Sequence, residues 1–318
     1  MPTLVVLRHH TTYHYDRSVA LGPQTIRLCP TPHAHTPILS YALTVLPEPH
    51  TRHWFQDPMG NFLARVLFPE PTARFEITIE LTADLAETNP FDFYLEPDAA
   101  TWPFRYSTLL EQELTPYRAA EPIRPWLASL LTGLPLMKQP SVELLVTLNQ
   151  LVRDRVSYVT RMEPGVQTPE QTLERGNGSC RDVAWLLVQV ARNLGFAARF
   201  VSGYLIQLAD TKRPVPGIEA DGADLHAWVE VYLPGAGWIG FDATSGLIIG
   251  AGHIPLASSA HPASAAPVSG TIAASTVRFD IETSVTRLSA PSAYSTPLFG
   301  PGCSSNLPKN SDMAFTSP

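Results

Sequence analysis

Three residues of the 318-residue chain have the types needed for nucleophilic chemistry: Cys180, His226 and Asp242. Cys180 follows Gly178-Ser179, where a helix is expected to begin. A helix start offers unpaired N–H groups and a partial positive charge, and both favour a thiolate, the nucleophilic form of cysteine. The same N–H groups can hold the oxyanion of a tetrahedral intermediate. A thiol nucleophile needs a base, and the base needs an acceptor that orients it. His226, in Leu225-His226-Ala227-Trp228, and Asp242, closing Gly237-Trp238-Ile239-Gly240-Phe241-Asp242, are the candidates. Each residue also has a blander reading. A free cysteine is more often a small buried hydrophobe, a histidine a satisfied core residue, and an aspartate at a strand end a turn former. The position of Cys180 at a Gly-rich helix start argues against the first of these.

The elements around these residues decide whether they can meet. Residues 180–194 read as a helix that Gly195 ends. Residues 197–207, 226–233 and 238–242 read as three strands, the last two joined by Pro234-Gly235-Ala236-Gly237. If Leu233 stood opposite Trp238, Val229 would face Asp242, and His226 and Asp242 would point to opposite faces of the sheet. A shift of one residue puts Trp228 opposite Asp242. His226 then becomes a diagonal neighbour on the same face, about 7–8 Å away between backbones. A Cys-His-Asp triad therefore requires a loop with an odd number of residues, or a β-bulge, between His226 and Asp242. Gly235 and Gly237 supply the backbone freedom for either.

Further upstream, Leu4–Tyr15, Ile38–Leu46, Asn61–Phe68 and Arg74–Leu85 are rich in β-branched and aromatic residues. The last alternates Phe75, Ile77, Ile79 and Leu81 with Glu76, Thr78, Glu80 and Thr82, as a half-buried strand does. Asp57-Pro58-Met59-Gly60-Asn61 is a turn signal. Ser141 opens an amphipathic helix carrying Leu144, Leu145, Leu148, Leu151 and Val152, and a short helix is expected over 169–175. The chain divides into an N-terminal antiparallel β-sandwich over 1–87, a Pro-rich connector over 88–140, an α+β catalytic core over 141–288 and a disordered Pro/Ser/Gly-rich tail over 289–318.

Composition narrows the function classes. A hydrophobic fraction of 44% is enough to build a core, and a net charge of -7 without a basic stripe argues against nucleic-acid binding. The first residues have no basic region followed by a long apolar run, and no apolar stretch is long enough to span a bilayer. The expectation is a cytoplasmic protein without a membrane partner. Cys29, Cys180 and Cys303 form neither a disulfide framework nor a zinc spacing, and Cys29 and Cys303 have no helix-start context. His9, His10, His14, His33 and His35 read as scattered surface histidines rather than metal ligands. Neither a metal nor another cofactor is expected. Trp185 and Trp228 read as core residues. Tyr158 is a candidate second oxyanion donor, although a tyrosine there more often packs with its hydroxyl satisfied.

Four blocks in order carry a resemblance: Gly178-Ser179-Cys180-Arg181-Asp182-Val183-Ala184-Trp185, Ala198-Arg199-Phe200-Val201-Ser202-Gly203-Tyr204, Leu225-His226-Ala227-Trp228 and Gly237-Trp238-Ile239-Gly240-Phe241-Asp242-Ala243-Thr244. Together they resemble the bacterial transglutaminase-like family of the papain-like cysteine peptidase superfamily. The N-terminal region, with its Asp57–Asn61 turn, is similar to the β-domain that precedes this core in the family. The resemblance implies a papain/transglutaminase-like core with Cys180 as nucleophile, His226 as base and Asp242 as orienting residue. Where the family usually has proline after the aspartate, this chain has Ala243. Gly252-His253-Ile254-Pro255-Leu256 resembles members whose chains continue for hundreds of residues, and it assigns no role to His253. The implied activity is acyl transfer from an amide or peptide bond through a thioester, with water as acceptor on a peptide or protein substrate. Transfer to a lysine amine uses the same triad, and a catalytically silent scaffold is the third reading.

Overall fold

The structure, a computed structural model, describes residues 3–122, 125–132, 134, 137–209 and 219–288. The tail expected over 289–318, with Cys303 in it, lies outside the described residues.

Six strands come first: β1 (Leu4–Val19), β2 (Leu21–Ile26), β3 (Ile38–Leu46), β4 (Thr51–Gln56), β5 (Phe62–Leu67) and β6 (Thr72–Asp84). The alternation read in β6 is realised, with Phe75, Ile77, Ile79 and Leu81 buried and the residues between them wetter. Along the connector, β7 (Thr101–Trp102) and β8 (Gln139–Pro140) pair with each other, and α1 (Thr108–Glu113), α2 (Thr115–Arg118) and α3 (Pro125–Leu131) lie between them. Then follow α4 (Ser141–Arg155), β9 (Ser157–Tyr158), α5 (Pro169–Arg175), β10 (Asn177–Gly178) and α6 (Cys180–Asn193). The chain continues with β11 (Ala197–Gln207), β12 (Gly222–Leu233), β13 (Gly237–Asp242), β14 (Leu247–Ile248), β15 (His253–Ser259), β16 (Val268–Ile272) and β17 (Val277–Arg287).

The strands form three main sheets. Two four-stranded sheets, ordered β17-β1-β6-β3 and β16-β2-β5-β4, face each other in the N-terminal sandwich. The third is five-stranded, ordered β14-β13-β12-β11-β15. β16 and β17 differ from the sequence reading, which assigned residues up to 288 to the catalytic core. Both return to complete the N-terminal sheets, β16 on β2 and β17 on β1. The reason is geometric: β1 and β2 each present a free edge, and backbone N–H and C=O groups at such an edge require partners.

The five-stranded sheet is covered on both faces. Helix α6 is buried at every position from Asp182 to Arg192. Its Val183, Leu186, Leu187 and Val190 pack with Leu144, Leu145 and Leu148 of α4 and with Val229, Val231 and Phe241 of the sheet. Tyr204, Ile206, Ile254 and Leu256 join the sandwich core of Val5, Leu7, Ile26, Phe75, Ile77 and Ile79. The Asp57–Asn61 turn adds a polar link. Asp57 Oδ1 accepts from the Met59 and Asn61 amides at 2.9 Å each, and the Asn61 side chain exchanges two hydrogen bonds with the Ser258 backbone on β15, also at 2.9 Å each.

The β12–β13 hairpin takes the register that a triad needs. Val229 pairs with Phe241, Val231 with Ile239 and Leu233 with Gly237, which leaves the three-residue loop Pro234-Gly235-Ala236. Gly235 and Gly237 have φ of 89° and 76°, in the left-handed region where a side chain is strained.

Candidate active site

Helix α5 begins the construction of the site. Thr168 caps it, with its hydroxyl accepting from the Gln171 amide at 3.2 Å and its own amide donating to Gln171 Oε1 at 3.0 Å. Gly176, at φ 62°, ends it in the left-handed conformation. The chain then runs as β10 parallel to β9, so that Gly178 stands beside Tyr158 just ahead of Cys180.

Ser179 caps α6, and Asp182 fixes that end. Asp182 Oδ2 accepts from the Ser179 amide and hydroxyl, both at 2.8 Å, and from Arg161 Nε at 3.0 Å. Its Oδ1 accepts from the Gln167 amide at 2.7 Å and Arg161 Nη2 at 3.2 Å. Burial works against the Asp182 charge, but these donors outweigh it and hold the carboxyl below its ordinary pKa. The network ties the loop after Tyr158 to the first turn of α6. Asp182 lies within the quoted Gly178–Trp185 block, but nothing in its local pattern reveals that Arg161 and Gln167 converge on it.

Cys180 is 9% exposed at the head of α6. Its thiol lies close enough to His226, on the facing strand β12, to act on the imidazole. His226 Nε2 lies 3.2 Å from Asp242 Oδ1 as an ion-pair contact, which leaves Nδ1 for the sulfur. Burial alone would lower the His226 pKa. Hydrogen bonds and charges from Asp242 and Cys180 override it and lift the imidazole from 6.5 to about 10. Asp242 is also buried, yet His226 and His253 hold it far below the usual carboxylate range. Its Oδ1 accepts from the Thr244 amide at 2.8 Å, and its Oδ2 from Ser245 Oγ at 2.9 Å. Cys180, His226 and Asp242 thus lie together, as the sequence reading required. Tyr158 stands at the rim, 54% exposed and close enough to feel the Cys180 charge.

The sequence matches the family described as "Bacterial transglutaminase-like N-terminal region" over residues 5–84 and the one described as "Transglutaminase-like superfamily" over residues 132–243. Residues 132–243 are a transglutaminase-like region. A relative, an uncharacterized protein of Mycobacterium tuberculosis, is 26% identical over 294 residues, covering 87% of this chain and 90% of its own length. An uncharacterized protein of Mycobacterium leprae is 22% identical over 287 residues, covering 88% and 97%. The crystal structure of a candidate cysteine protease from Cytophaga hutchinsonii superposes with a TM-score of 0.63 at 19% identity, over 92% of this chain and 93% of that one. That likeness establishes a shared fold.

Around Cys180, His226 and Asp242, other predicted residues take quieter places. Trp228 is fully buried and stacks on His226 at 6.4 Å between ring centroids; Trp185 is also buried. Cys29 is buried. The surface reading of the early histidines fails for His9, which is buried and bonded to Tyr204 and Thr11 at 2.7 and 2.6 Å. The cause is strand alternation, which turns His9 inward beside Leu7 and Thr11. His10, one residue on, faces out to Glu76 at 3.4 Å.

His253, to which the sequence assigned no role, lies with its Nε2 3.6 Å from Asp242 Oδ2. His226, Asp242 and His253 bring two imidazole nitrogens and a carboxylate within 4.8 Å of one another, a donor set that zinc uses. The hydrogen bonding does not fit a metal. The Gly250 amide donates to His253 Nδ1 at 3.3 Å, so that nitrogen carries a lone pair and the ring proton sits on Nε2. Metal on Nε2 would move the proton to Nδ1, against the Gly250 N–H. Among the described residues, no helix is long and apolar enough to cross a membrane.

Proposed function

We propose that this protein is a cysteine-dependent acyl-transfer enzyme that cleaves amide or peptide bonds, with water as the acyl acceptor. The observation that carries the reading is the line of contacts from Cys180 at the α6 start through His226 to Asp242. In this reading His226 holds the proton taken from the thiol, as its raised pKa favours. The thiolate attacks the substrate carbonyl, an S–C bond forms, and the oxyanion is met by the helix-start amides. In this reading Tyr158 adds a second donor; burial and the nearby Cys180 charge push its pKa up, so the hydroxyl keeps its proton. As the tetrahedral intermediate collapses, the C–N bond breaks and His226 delivers its proton to the leaving amine. A water then attacks the thioester and gives its proton to His226; the C–S bond breaks, the carboxylic acid leaves, and His226 returns the proton to the sulfur. Asp242 orients the imidazole and stabilises its positive charge throughout.

The exposure of Tyr158 favours water, since solvent reaches the rim beside the nucleophile. The test is to digest a denatured-protein or peptide mixture and identify the products by mass spectrometry, with and without an added primary amine. New carboxyl termini that vanish with Cys180→Ala are expected. Amine incorporation in preference to hydrolysis would move the assignment to transamidation. Products unchanged by Cys180→Ala would end it.

A further inference from the structure

His253 takes no part in the chemistry above, yet it is the second imidazole on Asp242. It opens β15, where its backbone pairs with Leu205 of β11. An edge contact with Trp228 at 5.3 Å and a tilted one with His226 at 6.1 Å locate its ring. The Gly250 amide on Nδ1 fixes the tautomer, so Nε2 carries the hydrogen. That Nε2 is buried, has no hydrogen-bond partner, and lies 3.6 Å from Asp242 Oδ2. It is a donor beside a carboxylate, at a separation just beyond hydrogen-bond length.

We propose that His253 is a positioning residue of the triad: its Nε2–H holds Oδ2 of Asp242 so that Oδ1 stays on His226. The inference rests on the acyl-transfer reading above. Each carboxylate oxygen has a matched set of partners. Oδ1 meets His226 and the Thr244 amide, while Oδ2 meets Ser245 Oγ and His253. Rotation of the carboxylate would give up all four contacts together. His226 therefore faces a fixed acceptor rather than one free to turn. Trp228 lies against both rings. Cys180 on α6 acts on His226 from the other side, and Tyr158 lies beyond it at the rim. Tyr204 of β11 is directed onto His9 in the sandwich core.

The test uses two variants of nearly equal size, His253→Gln, which keeps a donor, and His253→Met, which does not. The rate of Cys180 alkylation by iodoacetamide is followed from about pH 5 to pH 10 on the full chain, with His226→Ala as reference and thermal unfolding as a check on folding. His253→Met is expected to slow alkylation about tenfold near pH 6–7, equivalent to moving the thiolate–imidazolium pair by roughly one pH unit. His253→Gln is expected to recover most of that loss. Equal profiles for Met and wild type, or for Met and Gln, overturn the inference while leaving the triad standing. A His226→Ala profile identical to wild type overturns both readings.

Discussion

Asp242→Asn isolates the charge that holds His226 protonated. The lift of His226 from 6.5 to about 10 is worth roughly 5 kcal/mol at about 1.36 kcal/mol per pH unit. Burial opposes that lift, and Asp242 and Cys180 together supply it. If Asp242 provides about half, its neutralisation removes ~2–3 kcal/mol, or about 10² in the population of the thiolate–imidazolium pair near neutral pH. The substitution is close to isosteric. An asparagine oxygen can still accept from the Thr244 amide, and its NH₂ can donate to Ser245 Oγ, so the strand end should hold its shape. Alkylation of Cys180 by iodoacetamide reads the effect without a substrate. Near pH 6–7 the variant should react about 10²-fold more slowly than wild type, and the gap should narrow as the pH rises enough to ionise the thiol unaided. Buried Cys29 serves as the internal control. A variant that alkylates at the wild-type rate near pH 6 would refute the reasoning, because Asp242 would then not be sustaining the charge on His226.

Stability should fall at both ends of the pH scale. The raised His226 contributes fully below about 6.5 and loses its contribution as pH climbs through about 10. Glu230 is held down to about 2, against burial, by Arg199 and His33, so its contribution is present above about 4.5 and lost as pH falls toward 2. Thermal melts near pH 3, pH 7 and pH 10.5 should show the maximum in the middle; a flat series would rule out both contributions. Arg199→Ala leaves the buried Glu230 without its 2.6 Å partner and should cost ~3–5 kcal/mol by urea unfolding, with Arg199→Lys intermediate. A loss below about 1 kcal/mol would mean water replaces the guanidinium. Gly203→Ala would place a methyl against the Trp228 ring and the Ile254 carbonyl. It should cost about 1–3 kcal/mol and slow Cys180 alkylation as Trp228 shifts against His226. Normal stability together with a normal alkylation rate would show that Trp228 has room to move.

What the sequence disclosed follows from how locally each feature is encoded. The β12–β13 register could be derived because strand parity is a counting rule, and the three-residue loop with Gly235 and Gly237 meets it. The helix start at Cys180 and the alternation in β6 were readable for the same reason. His253 was not, because its meaning depends on β15 lying beside β11 and on one backbone amide at Gly250 that sets its tautomer. Nor was the convergence of Arg161 and Gln167 on Asp182, which crosses 21 and 15 residues of chain. His9 was misjudged as a surface residue although the parity of its own strand pointed it inward. Its buried partner, Tyr204, lies 195 residues away.

The return of β17 to β1 has a consequence for how the chain can be divided. β1 lies between β6 and β17, and its pairing with β17 runs from Val5 to Tyr15. A fragment cut after the N-terminal family region would leave that whole length of β1 as a bare edge, and β2 would lose β16 in the same cut. Long unpaired edges recruit other strands, so such a fragment should self-associate rather than behave as a free module. During synthesis the same edge waits for all of residues 20–276 before its partner exists. The N-terminal sandwich, first to be made, is therefore among the last parts of the molecule to be finished.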